Sequence, residues 1–170
     1  MKEAIKAEKY HYPEELRFRP DQAHAVLRAC EAELEEWMNL AVRVKDNFPG
    51  FEEESYRQTV VRNMARGSAL CVKIEGKMAG ILLFSVRHGC LSYMAVAPEY
   101  RRKGVGGALI EAMLDEMDGE VWVDTFREDD PMGEAPRALY RKYGFEEGEL
   151  LEDFGYPVQR FYRKRGAGRP

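Results

Sequence analysis

The sequence is short of cysteine and histidine, has no long apolar run and carries no surplus of positive charge. Its three cysteines, Cys30, Cys71 and Cys90, are odd in number, widely spaced and without a C-x-x-C pair, so a disulfide framework is excluded and reduced, mostly buried thiols are expected. His11, His24 and His88 lie too far apart to form a metal-ligand spacing, so no metal is expected. The longest apolar stretch, Met78 to Phe84 with Gly80 inside it, falls far short of the ~18 residues of a membrane helix. The first residues, MKEAIKAEKYHY, lack the apolar core of a signal peptide, which points to the cytoplasm and away from a membrane. A net charge of −4, from 26 basic and 30 acidic residues, argues against a general nucleic-acid binder. No repeat, low-complexity tract or Pro/Ser-rich linker divides the 170 residues, so one domain is expected over 15–164. Residues 1–14 read as a loose extension and 165–170 as a short basic tail that frays.

What remains is patterned. Leu16 and Phe18 alternate as a short strand that Pro20 ends, and Asp21 is placed to cap a helix. Val26, Cys30, Leu34, Trp37, Ala41 and Val44 then recur at helical spacing, and Asn47-Phe48-Pro49-Gly50 breaks the run. A second helix is expected from about 53 to 66, ended by Gly67. The period then drops to two. Strands at 69–74, 77–86 and 90–96 are separated by tight turns, an antiparallel meander. A helix to about 117, a strand from 121, a helix from Pro136 to Tyr143 and a hairpin around Gly155-Tyr156-Pro157 complete the chain. The order is strand, two helices, three strands, helix, strand, helix, two strands. Strand, helix and strand over 90–125 imply a locally parallel pair, hence an α/β domain with a mixed central β-sheet flanked by helices.

One segment carries chemistry. Arg101, Arg102 and Lys103 lead into Gly104, Val105, Gly106 and Gly107 where a helix begins. The first N–H groups of a helix have no intrahelical partner, and with the helix dipole they form an anion site. Glycines there keep side chains out of a ligand's way. Three cations and three glycines together, in an acidic protein, suit a pyrophosphate. A dinucleotide fingerprint fits poorly, because Leu109 stands at its third glycine and the loop is too long. No Walker P-loop motif occurs.

The run Arg101-Arg102-Lys103-Gly104-Val105-Gly106, preceded by Met94-Ala95-Val96-Ala97-Pro98, resembles the R-x-x-G-x-G signature of the GNAT superfamily of acetyl-CoA-dependent N-acetyltransferases. Ala138-Leu139-Tyr140-Arg141-Lys142-Tyr143-Gly144-Phe145 is similar to the superfamily's L-Y-x-x-x-G-F block. The resemblance spans about 16–163 and implies a GNAT-like fold, acetyl-CoA as cosubstrate and an amine-bearing acceptor, small molecule or protein, for a monomer or homodimer. It implies that the 101–107 loop holds the pyrophosphate and that Met94, Ala95 and Val96 pair with the pantetheine arm through their backbone. The Val96 N–H would then serve as oxyanion donor and Tyr140 as general acid. For the base it leaves Asp124, or Glu53 or a neighbour acting through water. The connection between the first two helices lines the superfamily's acceptor side; here it holds Phe48, Phe51, Glu52, Glu53 and Glu54, an acidic-aromatic rim for a cationic amine. For the acids, the plainer reading is a helix N-terminus that favours negative charge. Gly133 and Pro136 stand where many members carry Asn and Ala, so a side-chain contact to the cofactor from 133 is not expected. A non-catalytic acyl-CoA-binding module and a nucleotide-binding regulatory domain remain as other readings.

Overall fold

The computed structural model describes residues 15–17 and 24–170. The elements are β1 (Glu15–Arg17), β2 (Val26–Arg28), α1 (Leu34–Arg43), α2 (Glu53–Arg66), β3 (Ala69–Ile74), β4 (Lys77–Ser85), β5 (Cys90–Val96), α3 (Val105–Asp115), β6 (Val121–Phe126), α4 (Glu134–Lys142), β7 (Glu146–Asp153) and β8 (Tyr156–Arg163). The strands form one sheet in the order β1-β2-β3-β4-β5-β6-β8-β7. Among the described strands only the β5–β6 pair is parallel, with α3 as its crossover. This is the mixed, helix-flanked α/β architecture that the pattern predicts. No described helix is long and apolar enough to cross a membrane.

Alternation sorts the core into two layers. Leu70, Val72, Leu82, Leu91 and Val123 face α3 and α4, whereas Ala69, Cys71, Ile81, Leu83 and Tyr93 face α1 and α2. Trp37 and Ala41 of the predicted stripe are buried against that second face, together with Met38 and Leu40.

The start of the first helix differs from expectation. Val26–Arg28 is a strand, and a tight turn at Glu31–Glu33 separates it from α1. Leu27 and Arg28 stand opposite Cys71 and Leu70, and the Ala29 N–H donates to the Ala69 carbonyl at 2.9 Å. An edge of β3 left open would expose a row of unpaired backbone groups, and satisfying that row outweighs the local helical period. Phe18 and Asp21, and the extension at 1–14, lie outside the described residues.

Two smaller differences lie at the C-terminal end. The β7–β8 hairpin turns at Phe154-Gly155, with φ of 50° and 74°, a primed two-residue turn matched to strand twist. Pro157 is thereby inside β8, at the end beyond its last partner in β6, where no N–H is required. The tail, expected to fray, is docked instead. Arg169 bonds Asp115 at 3.0 Å and lies 3.5 Å from Glu111, and Arg163 donates to the carbonyls of Tyr143 and Ala167.

Candidate functional site

The site begins where the sheet divides. β5 pairs with β4 from Cys90 to Val96, but with β6 only at Cys90–Trp122 and Leu91–Val123. Beyond Leu91 the two parallel strands part. The Ala97 N–H donates to Ala79 across β4 at 2.8 Å, and backbone direction alternates along a strand. The N–H and C=O groups of Met94 and Val96 therefore face the cleft, and those of Ala95 face β4. Among the described residues the one side chain bonded to this edge is Arg101, whose Nε lies 3.4 Å from the Val96 carbonyl.

The loop that follows turns through Pro98–Tyr100 and delivers α3 to the same end of the cleft. Arg101, Arg102, Lys103 and Gly104 are all exposed. Arg102 has φ of 60° and Gly104 of 81°, so both are left-handed, which glycine adopts freely and arginine does not. No side chain caps α3, and no acid stands in its first turn. The N–H groups of Val105, Gly106 and Gly107 thus retain their capacity to bind an anion. Lys103 Nζ sits 5.7 Å from the Tyr100 ring centroid.

Two of the three glycines have a different reason from the one the sequence suggested. A Cβ at Gly106 would meet Leu139 Cδ2 at 3.0 Å, and one at Gly107 would meet the Tyr143 hydroxyl at 2.5 Å. Both are absent side chains that let α3 sit close to α4. At Gly104 the space is open and the positive φ is what requires glycine. Gly133 is walled in by Phe126, Arg127 and Arg137, which accounts for the missing side chain at that position.

Tyr140 is buried on the α3 side, tilted against Phe145 and Phe161 with ring centroids at 5.6 and 6.4 Å. Desolvation pushes its phenol above the ordinary range, so it stays protonated at neutral pH.

On the opposite face lie the residues expected on the acceptor side. Phe48 stacks on Tyr93 at 4.3 Å, and Phe51 and Tyr56 extend the cluster. Glu52 turns inward on its own helix, accepting from the N–H groups of Glu54 and Ser55 at 3.2 and 2.8 Å. Those bonds hold its carboxyl below the usual range. The helix-capping reading thus describes Glu52, while Glu53 and Glu54 project into solvent.

Asp124 stands one residue past the last β5–β6 pair, on the same face. Arg160, its cross-strand partner, grips both carboxylate oxygens at 2.8 and 3.0 Å and stacks over Trp122 at 3.8 Å. That bond to Asp124 raises the guanidinium's proton affinity further.

The sequence reading missed the rim of this face. Phe154, 82% exposed at the hairpin turn, lies against Gly50, where a Cβ would abut its Cβ and Cγ at 3.0 Å. Tyr156 donates to Asp130 at 2.6 Å, tying the same hairpin to the loop before α4. An aromatic at a strained turn was the available signal for Phe154; Arg160 and Gly50 needed the strand register.

Comparison with known proteins agrees with this geometry. Residues 65–147 match the family model described as an acetyltransferase (GNAT) domain. The [ribosomal protein bS18]-alanine N-acetyltransferase of Escherichia coli (strain K12) is 33% identical over 86 residues, 49% of this chain and 57% of that protein. The matched segment thus spans little more than half of that relative. Among solved structures, a GNAT-family acetyltransferase from Bacillus cereus ATCC 10987 superposes with a TM-score of 0.68 at 21% identity, covering 84% of this chain and 98% of that one. The PaiA N-acetyltransferase of Thermoplasma acidophilum, solved in complex with coenzyme A, gives 0.60 at 16% identity, over 84% and 99%. Family model and topology point the same way: residues 65–147 match a GNAT acetyltransferase domain, and the described fold is the one those GNAT structures have.

Proposed function

We propose that this domain transfers an acetyl group from acetyl-CoA to a primary amine by direct attack in a ternary complex. The observation that carries the reading is the unpaired β5 edge beside the uncapped start of α3. Backbone amides at one end suit a pyrophosphate, and the adjoining edge of Met94 and Val96 suits an extended arm rich in amides. Arg101, Arg102 and Lys103 add charge at the mouth.

Bound acetyl-CoA would supply an activated carbonyl and a thiol leaving group. The Val96 N–H, on the cleft edge, would donate to the oxygen on which charge grows. Tyr140 would hydrogen-bond the departing sulfur. Since a thiol's pKa is ~8.5 and a phenol's ~10, the tyrosine stabilises a thiolate while keeping most of its proton.

The amine must be neutral to attack, and Asp124 is our candidate to receive its proton, with Glu53 through water as the other route. Both Asp124 oxygens are engaged by Arg160, which leaves it a weak base. An α-amine, pKa ~7.7–8.0 against ~10.4 for lysine, needs the least help. The E. coli relative acts on an alanine of a ribosomal protein, which supports testing a peptide N-terminus first. Phe51, Glu53 and Glu54, with Glu52 behind them, would form the acceptor's rim. Three free thiols suit a cytoplasmic setting. The engaged Asp124 is also what a non-catalytic acyl-CoA-binding module would show.

Thermal shift with CoA and acetyl-CoA, then free-thiol release over a panel of peptides and amines, tests the proposal. A rise in Tm with CoA together with turnover of at least one amine is expected. No shift with CoA would overturn the cofactor reading, and binding without turnover would favour the module.

A further inference from the structure

The segment 24–28, which sequence pattern placed in a helix, runs alongside α3 and touches both of its ends. His24 Nε2 lies 2.6 Å from the carbonyl oxygen of Lys103, immediately before α3. Four residues on, Arg28 Nη2 bonds Glu116 at 2.7 Å, at the residue that caps the far end of α3. Between them Val26, 1% exposed, is packed into the α3-side core, and β2 is paired to β3. The segment is a strap across the helix, anchored in the sheet.

We infer that His24 is a positioning residue for the cofactor loop, an inference that rests on reading that loop as the acetyl-CoA phosphate site. A carbonyl oxygen only accepts, so His24 Nε2 carries the proton and donates. The Lys103 carbonyl and the Gly104 N–H belong to one rigid trans peptide and point in opposite directions. Holding the oxygen toward the strap therefore directs the Gly104 N–H away from it, to the side opposite His24. Among the described residues no other hydrogen bond holds that carbonyl. Of the two residues that share this peptide, Lys103 and Gly104, the second is left-handed, and glycine tolerates the flipped alternative. Arg101, Arg102 and Lys103 are exposed, and the one backbone bond from their side chains, Arg101 to the Val96 carbonyl, does not reach this peptide. The strap would thus select, before the ligand arrives, the loop conformer in which the amides are ready, which lowers the ordering cost of binding.

The test compares the full chain with His24→Ala and His24→Gln, the latter keeping an N–H donor. Loss of one such bond is expected to weaken CoA binding by calorimetry roughly three- to tenfold in His24→Ala. KM for acetyl-CoA should rise by the same factor while kcat at saturating acetyl-CoA is retained, and His24→Gln should recover most of the affinity. Amide exchange at Gly104–Gly106 should quicken in His24→Ala and not in His24→Gln. Equal CoA affinity and equal loop exchange in His24→Ala and wild type would overturn the role of His24, as would a His24→Gln as weak as the alanine variant. A wild-type chain that fails to bind CoA would instead remove the cofactor reading itself.

Discussion

Gly107 offers a test of why the glycines stand in the loop. If the residue is there to admit a ligand, any side chain should harm binding. If it is there for packing, the harm should come from one atom, the Tyr143 hydroxyl, which an alanine Cβ would approach to 2.5 Å. The ring itself is farther, at 3.4 and 3.5 Å, ordinary contact distances. Tyr143 is 7% exposed, so the ring has little room to retreat. Overpacking of this kind costs about 1–3 kcal/mol. Replacing glycine in a helix returns at most about 1 kcal/mol. Gly107→Ala alone should therefore lose up to about 2 kcal/mol, a fall in Tm of at most roughly 4–8 °C for a domain of this size. In a Tyr143→Phe background the clash is gone and the same substitution should be neutral or stabilising. Denaturant unfolding of the four proteins in a double-mutant cycle gives the coupling, and CoA calorimetry on the double variant gives the functional answer. A stable double variant that has lost CoA affinity would refute the packing argument and restore the ligand-access reading.

Four further outcomes are expected. Tyr140→Phe should lower kcat by roughly 10²-fold or more while leaving CoA affinity intact, since the ring stays packed on Phe145 and Phe161 and only the proton donor is lost. Glu52 is held below the usual carboxylate range by the α2 N–H groups, so its stabilisation is present at neutral pH and above. It fades as pH falls through its folded-state value; Glu52→Gln should unfold more easily than wild type at pH 7 and converge with it in acid, with acceptor KM unchanged. Charge reversal at Glu53 and Glu54, whose carboxylates are not spent on the cap, should raise KM for a cationic acceptor. Phe154→Ala should raise acceptor KM roughly two- to tenfold with KM for acetyl-CoA unmoved, the worth of one aromatic contact, and an unchanged acceptor KM would place the hairpin outside the acceptor path.

Local chemistry made much of this fold readable. The turn at Glu75-Gly76 is left-handed at both residues, and the strands it joins alternate as their sequence does. The β5–α3–β6 crossover follows from period, glycine and handedness together. What escaped was set by partners distant in sequence. Val26 to Arg28 obey a helical period locally, yet β3 offers them backbone bonds, and no inspection of residues 20–45 alone reveals that offer. The same holds within the site. The 101–107 loop is legible because its glycines and cations are consecutive. The Asp124–Arg160 pair depends on the register of β6 with β8, and the Gly50–Phe154 contact depends on two loops 104 residues apart meeting over one face.

The parting of β5 from β6 is also what distinguishes among ligands that share a pyrophosphate. Among the described residues, Met94 and Val96 carry N–H and C=O groups on an edge with no strand beside it, and the only side-chain bond there is the long one from Arg101. A ligand that closed the cleft without reaching those groups would strand them away from water, at about 1–3 kcal/mol for each group left unsatisfied. A dinucleotide brings phosphates to α3 and nothing that pairs with a strand. A peptide brings amides and no phosphate. Only a molecule with a diphosphate at one end and spaced amides along an extended arm satisfies both rows of backbone groups at once. The exposed cations contribute attraction that salt screens, whereas the two rows set identity through geometry. Acetyl-CoA has that shape, and in the proposed reading the same ordering of groups would bring its thioester to the side of the cleft where Val96 ends the strand.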